Sequence, residues 1–184
     1  MMTLKQITNV GFAFLIAIWA CEQPSQAKEE TLTVEGWETL SEEDYTIQYP
    51  DSLEMNQEGQ MGVKFILFTP PTAPMDQFRE NINLVIEDLA GKNVDLDKYV
   101  EISESQVKSM ITNGKLTDSE RIKEGKAFHK LVYTGKQGLF NLKWQQRYWV
   151  QNEKAYILTL TCEESQYDQY SALGEKIMQT FEIK

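Results

Sequence analysis

Residues 139–151 (LFNLKWQQRYWVQ) carry the clearest alternation in this chain. Phe140, Leu142, Trp144, Tyr148 and Val150 fall on one side of a period-two ribbon. Asn141, Lys143, Gln145, Arg147 and Gln151 fall on the other side, joined by Trp149. Successive side chains of a strand point to opposite faces of its sheet, so the run predicts a long strand with one apolar face. Its backbone groups need partners, and the neighbouring sequence supplies them. Gly135-Lys136-Gln137-Gly138 and Gln151-Asn152-Glu153-Lys154 have the composition of hairpin connections. The strand candidates 116–123, 126–134, 139–151 and 154–162 therefore predict an antiparallel meander.

Upstream, Tyr45, Ile47 and Tyr49 alternate with Thr46 and Gln48 in YTIQYP, a half-buried strand closed by Pro50. Residues 37–40 lie across the polar stretch Ser41-Glu42-Glu43-Asp44 from it. Residues 62–69 (GVKFILFT), ended by Pro70-Pro71, read as a well-buried strand, with a polar connection over 72–79. In 81–89, Ile82, Leu84 and Ile86 share a face. The period then changes to 3.6. From Leu96, apolar residues recur at Tyr99, Val100, Val107, Met110 and Ile111, with Asp95 as N-cap and Asn113-Gly114 as the stop. A second helix carries Tyr167, Tyr170, Leu173, Ile177 and Phe181 at spacings of three and four. Strands interrupted by two helices predict an α+β fold, one antiparallel β-sheet flanked by helices.

The 184 residues set an expectation of one globular domain, and 41% hydrophobic residues suffice for a core. A net charge of −10 argues against a nucleic-acid partner, which needs a basic face. With 1 His and 2 Cys, zinc sites that need two histidines, four-thiolate clusters and a disulfide scaffold are all excluded. No dinucleotide, P-loop, zincin, serine-hydrolase or C-x-x-C motif is present, and neither a cofactor nor a metal is expected.

Residues 1–20 have the layout of a signal peptide. Lys5 supplies the positive start, and the uncharged run 10–20 is too short to span a bilayer, which takes about 20 residues. The run ends Ile18-Trp19-Ala20-Cys21, which resembles a bacterial lipobox. Cys21 is thus the expected lipid-attachment residue. Each buried CH₂ contributes about 0.8 kcal/mol, so two or three acyl chains anchor stably. Residues 21–36 then form a polar tether, with the globular domain over 37–184. Ser25-Gln26-Ala27 offers a second cleavage site, after Ala27, that would release a soluble exported protein.

The elements YTIQYP, MGVKFILF, ENINLVIEDL, KWQQRYWVQNEKAYILTLTC and IMQTFEIK, in this order, resemble the PsbP-like family over 37–184. That family is named for an extrinsic lumenal protein of photosystem II. The resemblance implies an α/β/α sandwich, shared with a Ran-binding nuclear protein and with small bacterial envelope lipoproteins. With Cys21, it points to the lipoprotein branch: an extracytoplasmic, non-enzymatic binding or assembly module, anchored in a membrane and contacting another envelope protein. One alternative is a carrier of a small apolar ligand in a cleft between sheet and helix. Another is an enzyme with an unrecognised carboxylate site.

Individual residues sharpen these expectations. Arg147 and Trp149, on the otherwise polar face of their strand, are the candidate partner surface. No catalytic residue is expected. His129 and Cys162 are separated by the strand 139–151, roughly 9–10 Å, which is beyond direct hydrogen bonding. His129 is expected beside Trp144, and Cys162 as a buried hydrophobe among Tyr156, Leu158 and Leu160. Asn93, Asp95, Asp97 and Glu104 have EF-hand spacing, but Lys98 stands where that loop needs Gly. They read as acids in the first turns of a helix, with a weak surface cation site as the alternative. Glu87 and Asp88 point to opposite faces and make a poor acid–base pair.

Overall fold

The computed structural model describes residues 36–59, 62–74, 76–125 and 127–184. The expected signal peptide, Cys21, the alternative site after Ala27 and all of the tether but Gly36 lie outside the described residues. Described elements run β1 (Trp37–Ser41), β2 (Tyr45–Pro50), β3 (Glu54–Asn56), β4 (Val63–Phe68), β5 (Asn81–Asp88) and α1 (Leu96–Met110). They continue with β6 (Thr112–Ile122), β7 (Phe128–Gln137), β8 (Phe140–Gln151), β9 (Lys154–Glu163), α2 (Tyr167–Gln179) and β10 (Glu182–Ile183).

The expected α+β class and the meander are both present: β6, β7, β8 and β9 pair consecutively and antiparallel. At the β8–β9 hairpin, Asn152 and Glu153 have φ of 52° and 56°. Two successive positive φ values match the right-handed twist of the flanking strands. The expected single sheet needs correcting. Strand order in the main sheet is β3-β4-β5-β9-β8-β7-β6, and β1-β2-β10 form a second, three-stranded sheet. β2 pairs with β1 on one side and with the carboxyl-terminal β10 on the other. Its alternation buries Tyr45, Ile47 and Tyr49 in one core with α2 and the main sheet.

The end of α1 also differs from expectation. Asp95 is the N-cap, its side chain accepting from the Lys98 N–H at 2.8 Å. At the other end the backbone is already extended at Ile111. Asn113-Gly114 is no stop; it lies inside β6, at a shift of register against β7. Gly114 is required there because a Cβ would lie 2.1 Å from the Val107 carbonyl oxygen of α1.

Each face of the main sheet has its own core. On one, Phe65, Leu67, Leu84, Leu158 and Leu160 pack against α2 and the small sheet. On the other, Leu131, Leu142, Trp144 and Ile157 pack under Val100 and Val107 of α1. Helix α1 contacts β6, β7 and β8, and β5 on this face is left largely uncovered beside it. That offset opens the cleft described next.

Candidate functional site

A cleft of about 570 Å³ lies between α1 and the sheet, with a floor drawn from β5, β9, β8 and β7. The strand register builds this floor in rows. One row runs Asn81–Thr161–Trp144–Tyr133, and the next runs Asn83–Thr159–Gln146. Neighbours within a row are about 4.8 Å apart, and rows two residues apart are separated by about 6.8 Å. Thr159 and Thr161 are 6% and 7% exposed. Their β9 neighbours on the opposite face are Leu158, Leu160 and Cys162, all buried under α2 and the small sheet.

Internal hydrogen bonds fix part of this floor. Gln146 Nε2 donates to Thr159 Oγ1 at 3.1 Å, and the Tyr148 hydroxyl donates to Gln146 Oε1. Asn81 Nδ2 donates to the Arg79 carbonyl at 3.1 Å. Asn83 is half-buried and makes no side-chain hydrogen bond among the described residues. Aromatic rings form the walls. Tyr133 stacks on Trp144 at 5.0 Å, Tyr99 of α1 meets Tyr148 at 5.8 Å, and Phe78 packs on Phe140 at 5.1 Å. Burial pushes the Tyr99, Tyr133 and Tyr148 phenols well up, so they stay neutral, and the Glu87 carboxylate beside Tyr99 adds to the effect there. Among the described residues Glu87 is the single charged side chain on the lining, and no Lys, Arg or His joins it.

Arg147 and Trp149 are not a surface. Arg147 is 4% exposed and Trp149 8%, both covered by α2 and the chain beyond it. The guanidinium pairs with Glu175, donates to the Met178 carbonyl at 3.1 Å and lies over the Phe128 ring. Trp149 packs on Phe181 at 5.1 Å. The polar alternation of β8 serves an internal network instead. Gln145 joins it, donating to Glu175 at 2.8 Å and accepting from the Tyr167 hydroxyl at 2.7 Å.

Cys162 is fully buried beside Leu160, and burial pushes its thiol up to about 12, which removes its nucleophilic form. His129 stands opposite Tyr148 rather than Trp144, which faces Tyr133. β8 lies between the strands of His129 and Cys162, as expected, and the two side chains also point to opposite faces. His129 instead meets Ser119, at 2.9 Å from Nε2 to Oγ, and Ser119 donates to Glu104 at 2.6 Å. Because the hydroxyl has one proton, which goes to the carboxylate, Nε2 must be the donor to Ser119. The unprotonated Nδ1 is buried without a partner. In this trio the serine proton faces the Glu104 carboxylate and not the imidazole, so the serine–histidine pairing of a nucleophilic site is not formed.

The EF-hand-spaced acids are also engaged elsewhere. Asp95 caps α1, Asp97 pairs with Arg121, and Glu104 holds Ser119. No cluster of three metal-ligating side chains occurs among the described residues.

No protein-family model and no curated protein matches the chain. Solved structures do match. The solution structure of cyanobacterial PsbP (CyanoP) from Synechocystis sp. PCC 6803 aligns with a TM-score of 0.57 at 13% identity, covering 84% of this chain and 96% of that one. The chain has a PsbP-like fold. PA94 of Pseudomonas aeruginosa, a protein of unknown function, aligns at 0.56 with 17% identity, covering 78% and 94%. LpqN, involved in cell envelope biogenesis of Mycobacterium tuberculosis, aligns at 0.57 with 10% identity, covering 80% and 90%. Identities this low speak for fold alone. Within this PsbP-like fold, the rows Asn81–Thr161 and Asn83–Thr159 went unnoticed in the sequence. Their signal was present: amides and hydroxyls alternate with Ile82, Leu84, Leu158 and Leu160 on two strands that the register makes adjacent.

Proposed function

We propose that this protein is a lipid-anchored, extracytoplasmic binding module that engages another envelope component through the cleft under α1, without catalysis. One observation carries the proposal: two buried threonines and a set of amides occupy a face of the central strands, where packing alone would favour apolar groups. The signal-peptide layout and Cys21 support the address, and LpqN offers an envelope protein on the same scaffold. The lone carboxylate of the lining, the Ser119 proton held by Glu104 and the buried Cys162 thiol support a role without catalysis.

A small apolar ligand suits this floor poorly. It would leave the Asn83 amide and the Thr161 hydroxyl unpaired, at about 1–3 kcal/mol each. A protein partner is part of the proposal. Met110 is 76% exposed at the cleft rim and Ile102 40% exposed on the same helix, where a macromolecule carrying the bound group would touch α1.

The test is a photo-reactive side chain placed at Gln106, on the rim, or at Lys176, on the exposed side of α2, in the membrane-bound protein. A single defined adduct from Gln106 and none from Lys176 is the expected result. Adducts from Lys176 alone would overturn the proposal.

A further inference from the structure

We infer that the cleft under α1 is a site for an uncharged saccharide, an inference that rests on the cleft being the binding site. The lining is selective by what it offers and by what it lacks. A phosphate or carboxylate would find no cationic side chain there, in a protein whose net charge is −10. A cation would find only Glu87, and one monodentate acid does not make a site for a hard cation, which takes six or more oxygens. An extended peptide reads a sheet through its edge, whereas this cleft presents side chains of the central strands β5, β9 and β8.

A sugar satisfies the same lining. Its hydroxyls each donate and accept, and so do the Asn83 and Gln106 amides and the Thr161 hydroxyl. The C–H face of a pyranose is apolar and packs on aromatic rings, and the half-buried Tyr99 and Phe78 line the cleft beside the mostly buried, mutually stacked Tyr133 and Trp144. Gln146 is already tied to Thr159 and Tyr148, so it orients the row, and Asn83 is left to meet the ligand. The volume of about 570 Å³ lies in the range of small-molecule clefts and accommodates a short saccharide.

The test uses the full chain, extracted from membranes in a detergent without a sugar headgroup. Titration calorimetry measures binding of maltose, cellobiose and N,N′-diacetylchitobiose. At least one should bind, and Asn83→Leu, similar in size and half-buried, should weaken it by about tenfold or more while the circular dichroism and melting curve stay native. Gln106→Leu is the second variant and should also weaken it. Sugar binding unchanged in both folded variants would overturn the inference, and so would no binding by any of the three sugars. A persisting Gln106 adduct without sugar binding would sink the saccharide alone. Loss of that adduct would sink the binding-module reading as well.

Discussion

Arg147 keeps its charge in a buried setting that Glu175 and the Met178 carbonyl make tolerable. Burial pulls the guanidinium pKa down and Glu175 pushes it back up. Glu175→Ala should therefore cost about 1.5–3 kcal/mol in urea unfolding, the range for a hydrogen bond to a charged group. Arg147→Met should cost less, because it removes the buried charge together with its need for a partner. Glu80 is a buried acid, 3% exposed, with Oε1 unpartnered among the described residues, and burial raises its pKa above the usual 4.5. A raised carboxyl pKa means the folded state binds the proton more tightly, so wild-type stability falls as pH rises from 4.5 through the folded value. The stability of Glu80→Gln relative to wild type should grow over that window, and a flat difference would show that Glu80 does not ionise there. Cys162→Ala should cost on the order of 1 kcal/mol through a small cavity. It should leave binding in the cleft intact, because Cys162 faces α2. At this scale the sequence revealed that Cys162 was buried. It concealed the fate of Arg147, since alternation assigns a face and says nothing of what covers it.

At the scale of elements, local pattern located the long strands and both helices, because each repeats its period over several residues. β3 and β10 escaped, being three and two residues long, too short to show any period. The α1–β6 junction misled because Asn-Gly composition marks a stop and a bulge equally well. Its test is Gly114→Ala, whose Cβ would press into the Val107 carbonyl. The variant should lose at least about 2 kcal/mol through forced displacement of α1 or β6, read from urea unfolding. Helix α2 is the larger test. Truncation after Ser165 removes Ile177, Met178 and Phe181 from the core, strips Arg147 of its partners and removes β10 from the small sheet. Burying a large apolar side chain is worth roughly 1.5–3 kcal/mol, so these losses rival the ~5–15 kcal/mol stability of a domain. The fragment should aggregate, and a cooperatively melting fragment would contradict this packing.

At the scale of the whole molecule, the cleft arises from strand order. β5 pairs with β9 although α1, β6, β7 and β8 intervene along the chain. No local alternation reports that pairing, so nothing in the sequence brings Asn81 and Asn83 together with Thr159 and Thr161. The architecture, by contrast, was legible, because the order of elements resembles that of a known scaffold. The proposed purpose of the cleft rests on the proposal that residues 21–36 tether the domain to a membrane. Intact mass spectrometry of the protein extracted from membranes tests that claim most directly. The account predicts a chain that begins at Cys21 and carries acyl chains, and that shifts to the soluble fraction or stays uncleaved in Cys21→Ser. A wild-type chain that begins at Lys28, or one that carries no acyl group, would contradict it.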